Sequence, residues 1–175
     1  TISENKVKNC ATGLQLYDSS NYNYLHGNNI TNCPNGIELN QYIAYTILSG
    51  NMIENSAVGI NIKTSSANNI ISRNRLTANN VGLRLSFANL NKVLVNNITG
   101  NDVGVEIQFS QNNMLYSNVF MSNTQQASIS VSGYANAWDS GYPSGGNYWS
   151  DYTGVDSDGD GIGDSSYIID GNNQD

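Results

Sequence analysis

One stretch of this chain has residue types and spacing that carry explicit chemistry: Asp156-Ser157-Asp158-Gly159-Asp160-Gly161-Ile162-Gly163-Asp164. Acids at positions one, three, five and nine, with glycine at six, open a calcium loop of the EF-hand kind. The odd positions aim carboxylates at one centre, Gly161 permits the sharp turn, and Ile162 offers its carbonyl. The expected ligands are therefore Asp156, Asp158, Asp160, Ile162 and Asp164, and the expected ion is Ca²⁺, since hard oxygens in flexible geometry suit it over Mg²⁺ or a transition metal. The twelfth position is Tyr167, not Glu, so the loop is not a complete EF-hand. The remaining ligand must come from water or elsewhere, with Asp151 and Asp170 as candidates. An acidic turn without an ion is the plainer reading of the same residues.

Other residues with chemical potential are sparse. Cys10 and Cys33 are the only cysteines and lie 23 apart. A disulfide and a simple buried pair both stand open for them. Two sequons, Asn29-Ile30-Thr31 and Asn97-Ile98-Thr99, make Asn29 and Asn97 candidate glycosylation sites. Asparagine is so common here that sequons also arise by chance. A copper or zinc site would need soft ligands gathered in space, whereas His26, Met52, Met114 and Met121 are scattered.

The elements that must position these residues are repeats. Glycines fall at 13, 36, 59, 82 and 104, in steps of 23, 23, 23 and 22. Each is followed by an apolar-x-apolar triplet: Leu14/Leu16, Ile37/Leu39, Ile60/Ile62, Leu83/Leu85, Val105/Ile107. Two further triplets follow in each block, the last always Asn-x-apolar, as in Asn51/Ile53 and Asn74/Leu76. A spacing of two is strand periodicity, and a fixed period in this range marks a solenoid. Three short strands per turn, each lying on its counterpart about 4.8 Å away, bury a shared core. The expected fold is all-β: a right-handed, single-stranded parallel β-helix of about six coils, with an aromatic cap and a C-terminal calcium loop. The recurrent Asn is expected to hold left-handed bends and to bond its equivalent one coil away, and the leading Gly to supply the same backbone freedom.

This period places outward residues in rows. One row is Gln15, Glu38, Asn61, Arg84, Glu106; a second is Tyr17, Asn40, Lys63, Ser86, Gln108; a third is Thr31, Glu54, Thr77, Thr99, Met121. Glu38 and Glu106 fall three coils apart, about 14 Å, too far for a paired-carboxylate glycosidase. Glu54 is expected to pair with Arg75 on the next coil. Nothing assembles a nucleophile, a base and an orienting group.

The segments are read as a parallel β-helix over residues 1–132, an aromatic and Gly-rich cap over 133–155, and an Asp-rich loop and tail over 156–175. Ile129 and Val131 are expected to face inward in the last alternating strand, and Trp138, Tyr142, Tyr148, Trp149 and Tyr152 to plug the last coil; an aromatic sugar platform is the sharper alternative. The chain carries a net charge of −7, with all seven Lys and Arg at or before Lys92 and eight of 14 acids from Asp139 onward. No basic stripe invites nucleic acid, and no apolar run reaches membrane-span length. Asn5-Lys6-Val7 lies 23 before Asn28-Asn29-Ile30, so the sequence opens in mid-coil. Upstream chain or another molecule is expected to cover that face, and self-association head to tail through it is one expectation.

The repeats resemble the NosD-type β-helix family of periplasmic copper-binding, or carbohydrate-binding and sugar-hydrolase-like, repeats. Residues 145–175, GGNYWSDYTGVDSDGDGIGDSSYIIDGNNQD, resemble the ending of such repeats in large cell-surface proteins, especially of methanogenic archaea. The resemblance implies an extracellular surface protein; in such proteins more sequence usually follows, which fits an excised piece, with a mature product as the alternative. The family's copper association, linked to nitrous-oxide reductase maturation, does not carry over residue by residue. The function expected is a non-catalytic structural or adhesive module at a cell surface, calcium-stabilised and stacking end to end. The alternative is a carbohydrate-binding or pectate-lyase-like β-helix with glycan partners, and a third reading is copper delivery. Convergent acids in a groove would discriminate the second.

Overall fold

A computed structural model describes residues 1–130 and 135–175. The coil is built from two short strands and one long one. The first is β1 (Ile2–Ser3), β2 (Lys6–Lys8) and β3 (Thr12–Tyr17). The next are β4 (Tyr24–His26), β5 (Asn29–Thr31), β6 (Asn35–Asn40); β7 (Ile47–Ser49), β8 (Met52–Glu54), β9 (Val58–Lys63); and β10 (Ile70–Ser72), β11 (Arg75–Thr77), β12 (Val81–Ser86). Then come β13 (Lys92–Leu94), β14 (Asn97–Thr99), β15 (Val103–Gln108) and β16 (Met114–Tyr116), β17 (Val119–Met121), β18 (Gln125–Ile129). The end adds β19 (Tyr148–Trp149) and an antiparallel pair, β20 (Ile168–Asp170) and β21 (Asn173–Gln174).

Like strands stack with like into three parallel sheets, ordered β1-β4-β7-β10-β13-β16, β2-β5-β8-β11-β14-β17-β19 and β3-β6-β9-β12-β15-β18. No helix occurs among the described residues. The fold is thus the parallel β-solenoid of about six turns that the period demanded. Register keeps the apolar triplets in line: Leu14 opposes Ile37, which opposes Ile60, then Leu83 and Val105. Leu25, Leu48, Ile71, Val93 and Leu115 form one buried column, and Ile30, Ile53, Leu76, Ile98 and Phe120 another.

The bends differ from expectation in an instructive way. The recurrent asparagines Asn28, Asn51, Asn74, Asn96 and Asn118 are buried, and left-handed backbone falls on the residue before each: Gly27, Gly50, Arg73, Val95 and Ser117. The left-handed residue turns the chain so that the next amide points inward. The leading glycines are not left-handed either. At Gly13, Gly36, Gly59 and Gly82 an added Cβ would meet the next coil's glycine carbonyl oxygen closer than 3.0 Å. Close stacking of the coils, not conformational freedom, demands glycine there. The change of step from 23 to 22 is also local: the first corner has two left-handed residues in Asp18-Ser19, Gln41-Tyr42 and Thr64-Ser65, but one in Phe87 and in Phe109.

Two side-chain expectations need correction. Arg75 opposes Met52, while Glu54 opposes Thr77, so the register sets Glu54 and Arg75 apart. Arg75 donates from Nε to Thr77 Oγ1 instead. Of the expected aromatic plug, Trp138 and Trp149 are buried, whereas Tyr142 and Tyr148 are exposed because they stand on the outer side of the end segment. Val131 lies outside the described residues, and Ile129 packs against the core.

Candidate metal site and the end of the solenoid

Buried asparagines run the length of the molecule as hydrogen-bonded ladders. In each rung the backbone N–H and Nδ2 both donate to Oδ1 of the Asn one coil on, as Asn51 does to Asn74 at 2.9 and 2.9 Å. A second Nδ2 proton goes back to a core carbonyl, for Asn74 that of Leu48 at 2.9 Å. One ladder is Asn5, Asn28, Asn51, Asn74, Asn96, Asn118 and Asn147. A second passes through Thr46, Asn69, Asn91, Asn113 and Asn136, and a third through Asn79, Asn101 and Asn123. The ladder amides thereby satisfy one another inside the core.

The ladders extend past the point where the 23-residue period fades. Asn136 and Asn147 open Asn-Ala-Trp138 and Asn-Tyr-Trp149, the same Asn-x-apolar triplet with tryptophan in the apolar slot. Ala137 bridges to Met114, and β19 pairs with β17, so these residues form a partial further coil interrupted by residues 139–146. Trp149 stacks on Phe120 at 4.4 Å and on Tyr167 at 4.2 Å.

The tail then closes the ladders. Asn147 donates from N and Nδ2 to Asp175 Oδ2 at 2.7 and 2.9 Å, and Trp149 Nε1 donates to the same oxygen at 2.6 Å. Asn136 N and Trp138 Nε1 donate to Asn173 Oδ1 at 3.0 and 3.2 Å. Burial pushes the Asp175 carboxyl above its ordinary range, its bonds from Asn147 and Trp149 pull it down, and Asp139 nearby adds to the rise. Burial, with Asp151 beside it, pushes the Tyr167 phenol up to about 12.

The acidic loop lies between cap and tail. Asp156, Asp158 and Asp160 are exposed and each offers an oxygen within 4.8 Å of the others. Asp156 accepts from the N–H groups of Gly159 and Gly161 at 2.8 and 3.0 Å, and Asp160 accepts from Ile162 N at 2.8 Å. Gly159 and Gly161 are left-handed, at φ 73° and 88°. Asp164 is turned to Ser157, accepting from its N–H at 3.0 Å. Of the two further candidates, Asp151 accepts from the Tyr167 hydroxyl at 3.2 Å. Asp170 faces the tail turn. Burial pushes its carboxyl up, but bonds from Asn173 and Asn172 outweigh this and hold it below the ordinary range. A cavity of about 670 Å³ separates loop from cap, bordered by Asp139, Trp149, Tyr152, Asp156, Asp164 and Asp175.

The remaining candidates are dispersed. Cys10 and Cys33 occupy the first rungs of the third corner as free thiols, Cys33 buried and Cys10 exposed. Cys10 N donates to Cys33 Sγ at 3.4 Å, so the sulfur stands in for an amide oxygen. Asn97 is exposed and accepts from Thr99 Oγ1 of its own sequon. Asn29 is half-buried, with Oδ1 shut from solvent. On the outer rows Glu38 pairs with Lys63 at 3.0 Å and accepts from Gln15 at 2.6 Å, and Glu106 pairs with Arg84.

Stacked parallel coils with internal amide ladders define a parallel β-helix repeat protein. A family model described as periplasmic copper-binding protein (NosD) matches residues 1–154, and the chain belongs to that family. The match stops just short of the acidic loop. No curated protein matches the chain. The family's periplasmic description fits a place outside the cytoplasm, and among the described residues no helix is long and apolar enough to cross a membrane.

Proposed function

We propose that the chain is a non-catalytic structural or adhesive module of a cell-surface or extracellular assembly, whose C-terminal end is held shut by a calcium-ordered loop. The observation that carries this reading is the route of the tail: residues 156–164 lie between a coil end and the two residues, Asn173 and Asp175, that accept its last ladder bonds. Calcium on Asp156, Asp158 and Asp160 would neutralise clustered charge and fix the approach of the tail. The non-catalytic part is supported by the outer carboxylates, since Glu38 and Glu106 are each engaged by a cation on a neighbouring coil.

Copper has no place in this reading. His26 stacks on Tyr24 in the first sheet, Met114 opposes Lys92 there, Met52 lies beside Arg75 in the second sheet, and the cysteines stand at a corner. Among the described residues the acidic triad is the one cluster of metal-ligating type, and its hard oxygens do not suit copper.

The test is calcium titration by calorimetry with limited proteolysis of the tail. Binding is expected in the wild type and not in Asp158→Ala or Asp160→Ala, and EGTA is expected to speed cleavage within 150–175. Unchanged proteolysis and melting in EGTA overturn the calcium reading. Turnover of a polysaccharide by the chain overturns the non-catalytic one.

A further inference from the structure

The three corners of the solenoid treat left-handed backbone differently. The corner after each short first-sheet strand uses Glu4, Gly27, Gly50, Arg73, Val95 and Ser117, and the next uses Asn9, Asn32, Asn55, Ala78, Gly100 and Ser122. The corner after each long strand places Asp18, Ser19, Gln41, Thr64, Ser65, Asn68 and Asn112 in that conformation, and with them the bulky Tyr22, Tyr42, Tyr45, Phe87, Leu90 and Phe109. Bulky side chains are poor occupants of it, where Gly or Asn would sit without strain. These six are also exposed, Tyr22 by 78% and Phe109, the least, by 45%. Apart from Val95, the large apolar residues that are both left-handed and exposed fall on this one edge, flanked by the exposed Tyr17, Tyr24 and Ile47. Backbone bonds stack this corner from coil to coil, as in Tyr22 N to Ala44 O and Phe87 N to Gln108 O.

Two stacked pairs flank one corner of small residues. Tyr22 stacks on Tyr45 at 5.1 Å across the first two coils, and Phe87 on Phe109 at 4.7 Å across the fourth and fifth. Between them the third coil carries only Thr64, Ser65, Ser66, Ala67, Asn68 and Asn69 at the corner, and most of the sixth corner lies outside the described residues. Stacked rings turn their faces to each other and their edges outward, so they form no flat platform for a sugar ring. They suit an apolar partner laid alongside. We propose that this corner docks a second copy of the chain, side by side and antiparallel, about a twofold axis at the third coil.

In that arrangement the tyrosine pair of one copy meets the phenylalanine pair of the other, and the small residues face each other at the axis, which is the self-complementarity a twofold interface requires. The seven rings Tyr17, Tyr22, Tyr24, Tyr42, Tyr45, Phe87 and Phe109 expose roughly 800 Å² in all, at about 200 Å² per ring. That is close to the share of each partner in a standard stable interface. Few charges lie in the strip, so two chains of net charge −7 approach there with least repulsion. This inference is independent of calcium.

The experiment is sedimentation equilibrium of the whole chain over a wide concentration range, with Tyr45→Asn and Phe109→Asn. A monomer–dimer equilibrium is expected, weakened about tenfold or more by each substitution. Asn tolerates left-handed backbone, so the variants are expected to melt no lower than the wild type at a concentration where both are monomeric. In a Cys10→Ser background, Ser65→Cys is expected to give one covalent dimer with a short bismaleimide. A monomer at every concentration, or a dimer indifferent to both Asn variants, overturns the proposal. So does a monomer that retains a neutral glycan on an array and loses it in Tyr45→Asn, which would assign the strip to sugar.

Discussion

Replacing Asn74 by alanine tests the ladder directly. Asn74 is buried, accepts from Asn51 N and Nδ2, and donates to Asn96 Oδ1 and to the Leu48 carbonyl. Alanine keeps the Asn74 backbone bond to Asn96 but takes a partner from three buried groups. Asn51 N–H and one Nδ2 proton of Asn51 lose their acceptor, and the Leu48 carbonyl loses its side-chain donor. Each orphaned group costs about 1–3 kcal/mol, so the substitution is expected to cost about 3 kcal/mol or more. In a chain of this length that lowers the melting temperature by about 10 °C or more. The control is Asn5→Ala at the exposed start of the same ladder, where water replaces the lost partners and the cost stays under about 1 kcal/mol. Urea and thermal unfolding followed by circular dichroism give both numbers. Solenoids can unfold in parts, so the comparison is made on the first departure from the native baseline as well as on the midpoint. If Asn74→Ala and Asn5→Ala cost the same, the claim that desolvated amides are specified by the ladder fails.

Glycine substitutions should separate two physical causes. Gly59→Ala brings a methyl closer than 3.0 Å to Gly82 O and is expected to cost about 3 kcal/mol from overpacking. Gly50→Ala meets no atom within 4 Å and is expected to cost about 1 kcal/mol from its left-handed backbone alone. The pH dependence of the cap has a definite sign. Burial raises the folded-state Asp175 carboxyl, so the folded chain holds that proton more tightly than the unfolded chain. The stability this contributes is fully present below the ordinary Asp value and is lost as pH rises through the raised one. Asp175→Asn keeps an acceptor oxygen for Asn147 and Trp149, so melting curves from about pH 3 to 7 should be flatter in the variant than in the wild type. A wild type whose cap gains stability over that interval relative to the variant would contradict the burial argument.

Much of the fold was written in the repeat. The apolar triplets Ile37/Leu39 and Ile60/Ile62 land opposite one another, and the outer rows through Glu38 and Thr31 are continuous columns in the structure. Periodicity reports which residues share a slot, and slots are what register preserves. It does not report which residue in a bend carries the strain. Arg73, Val95 and Phe87 are left-handed although their side chains disfavour it, because the coil geometry imposes the bend wherever the slot falls. The partial coil at Asn136 and Asn147 was legible as two Asn-x-Trp triplets, and was obscured only by the insertion between them. The contacts of the acidic loop were less legible. Loop spacing anticipates that Asp156, Asp158 and Asp160 converge, but Asp164 turning to Ser157 depends on local bonds that no spacing encodes.

The direction of the ladders explains why an acid stands at Asp175. Each rung sends its N–H and Nδ2 donors toward the following coil and receives them on Oδ1, so every ladder is polar along the solenoid axis. The last rung among the described residues, Asn147, presents two donors that go to the tail and not to another Asn rung. A residue that closes it must accept and has no need to donate. A carboxylate is acceptor-only, and Asp175 Oδ2 takes both Asn147 donors and the Trp149 indole N–H. An amide at the end of the neighbouring ladder must place its own NH₂, and Asn173 does so on Asp170 Oδ1 at 2.9 Å. Two acids within the tail are thus explained by hydrogen-bond polarity alone. That leaves the acids of residues 156–160, which touch neither ladder, as the ones on which the calcium proposal rests.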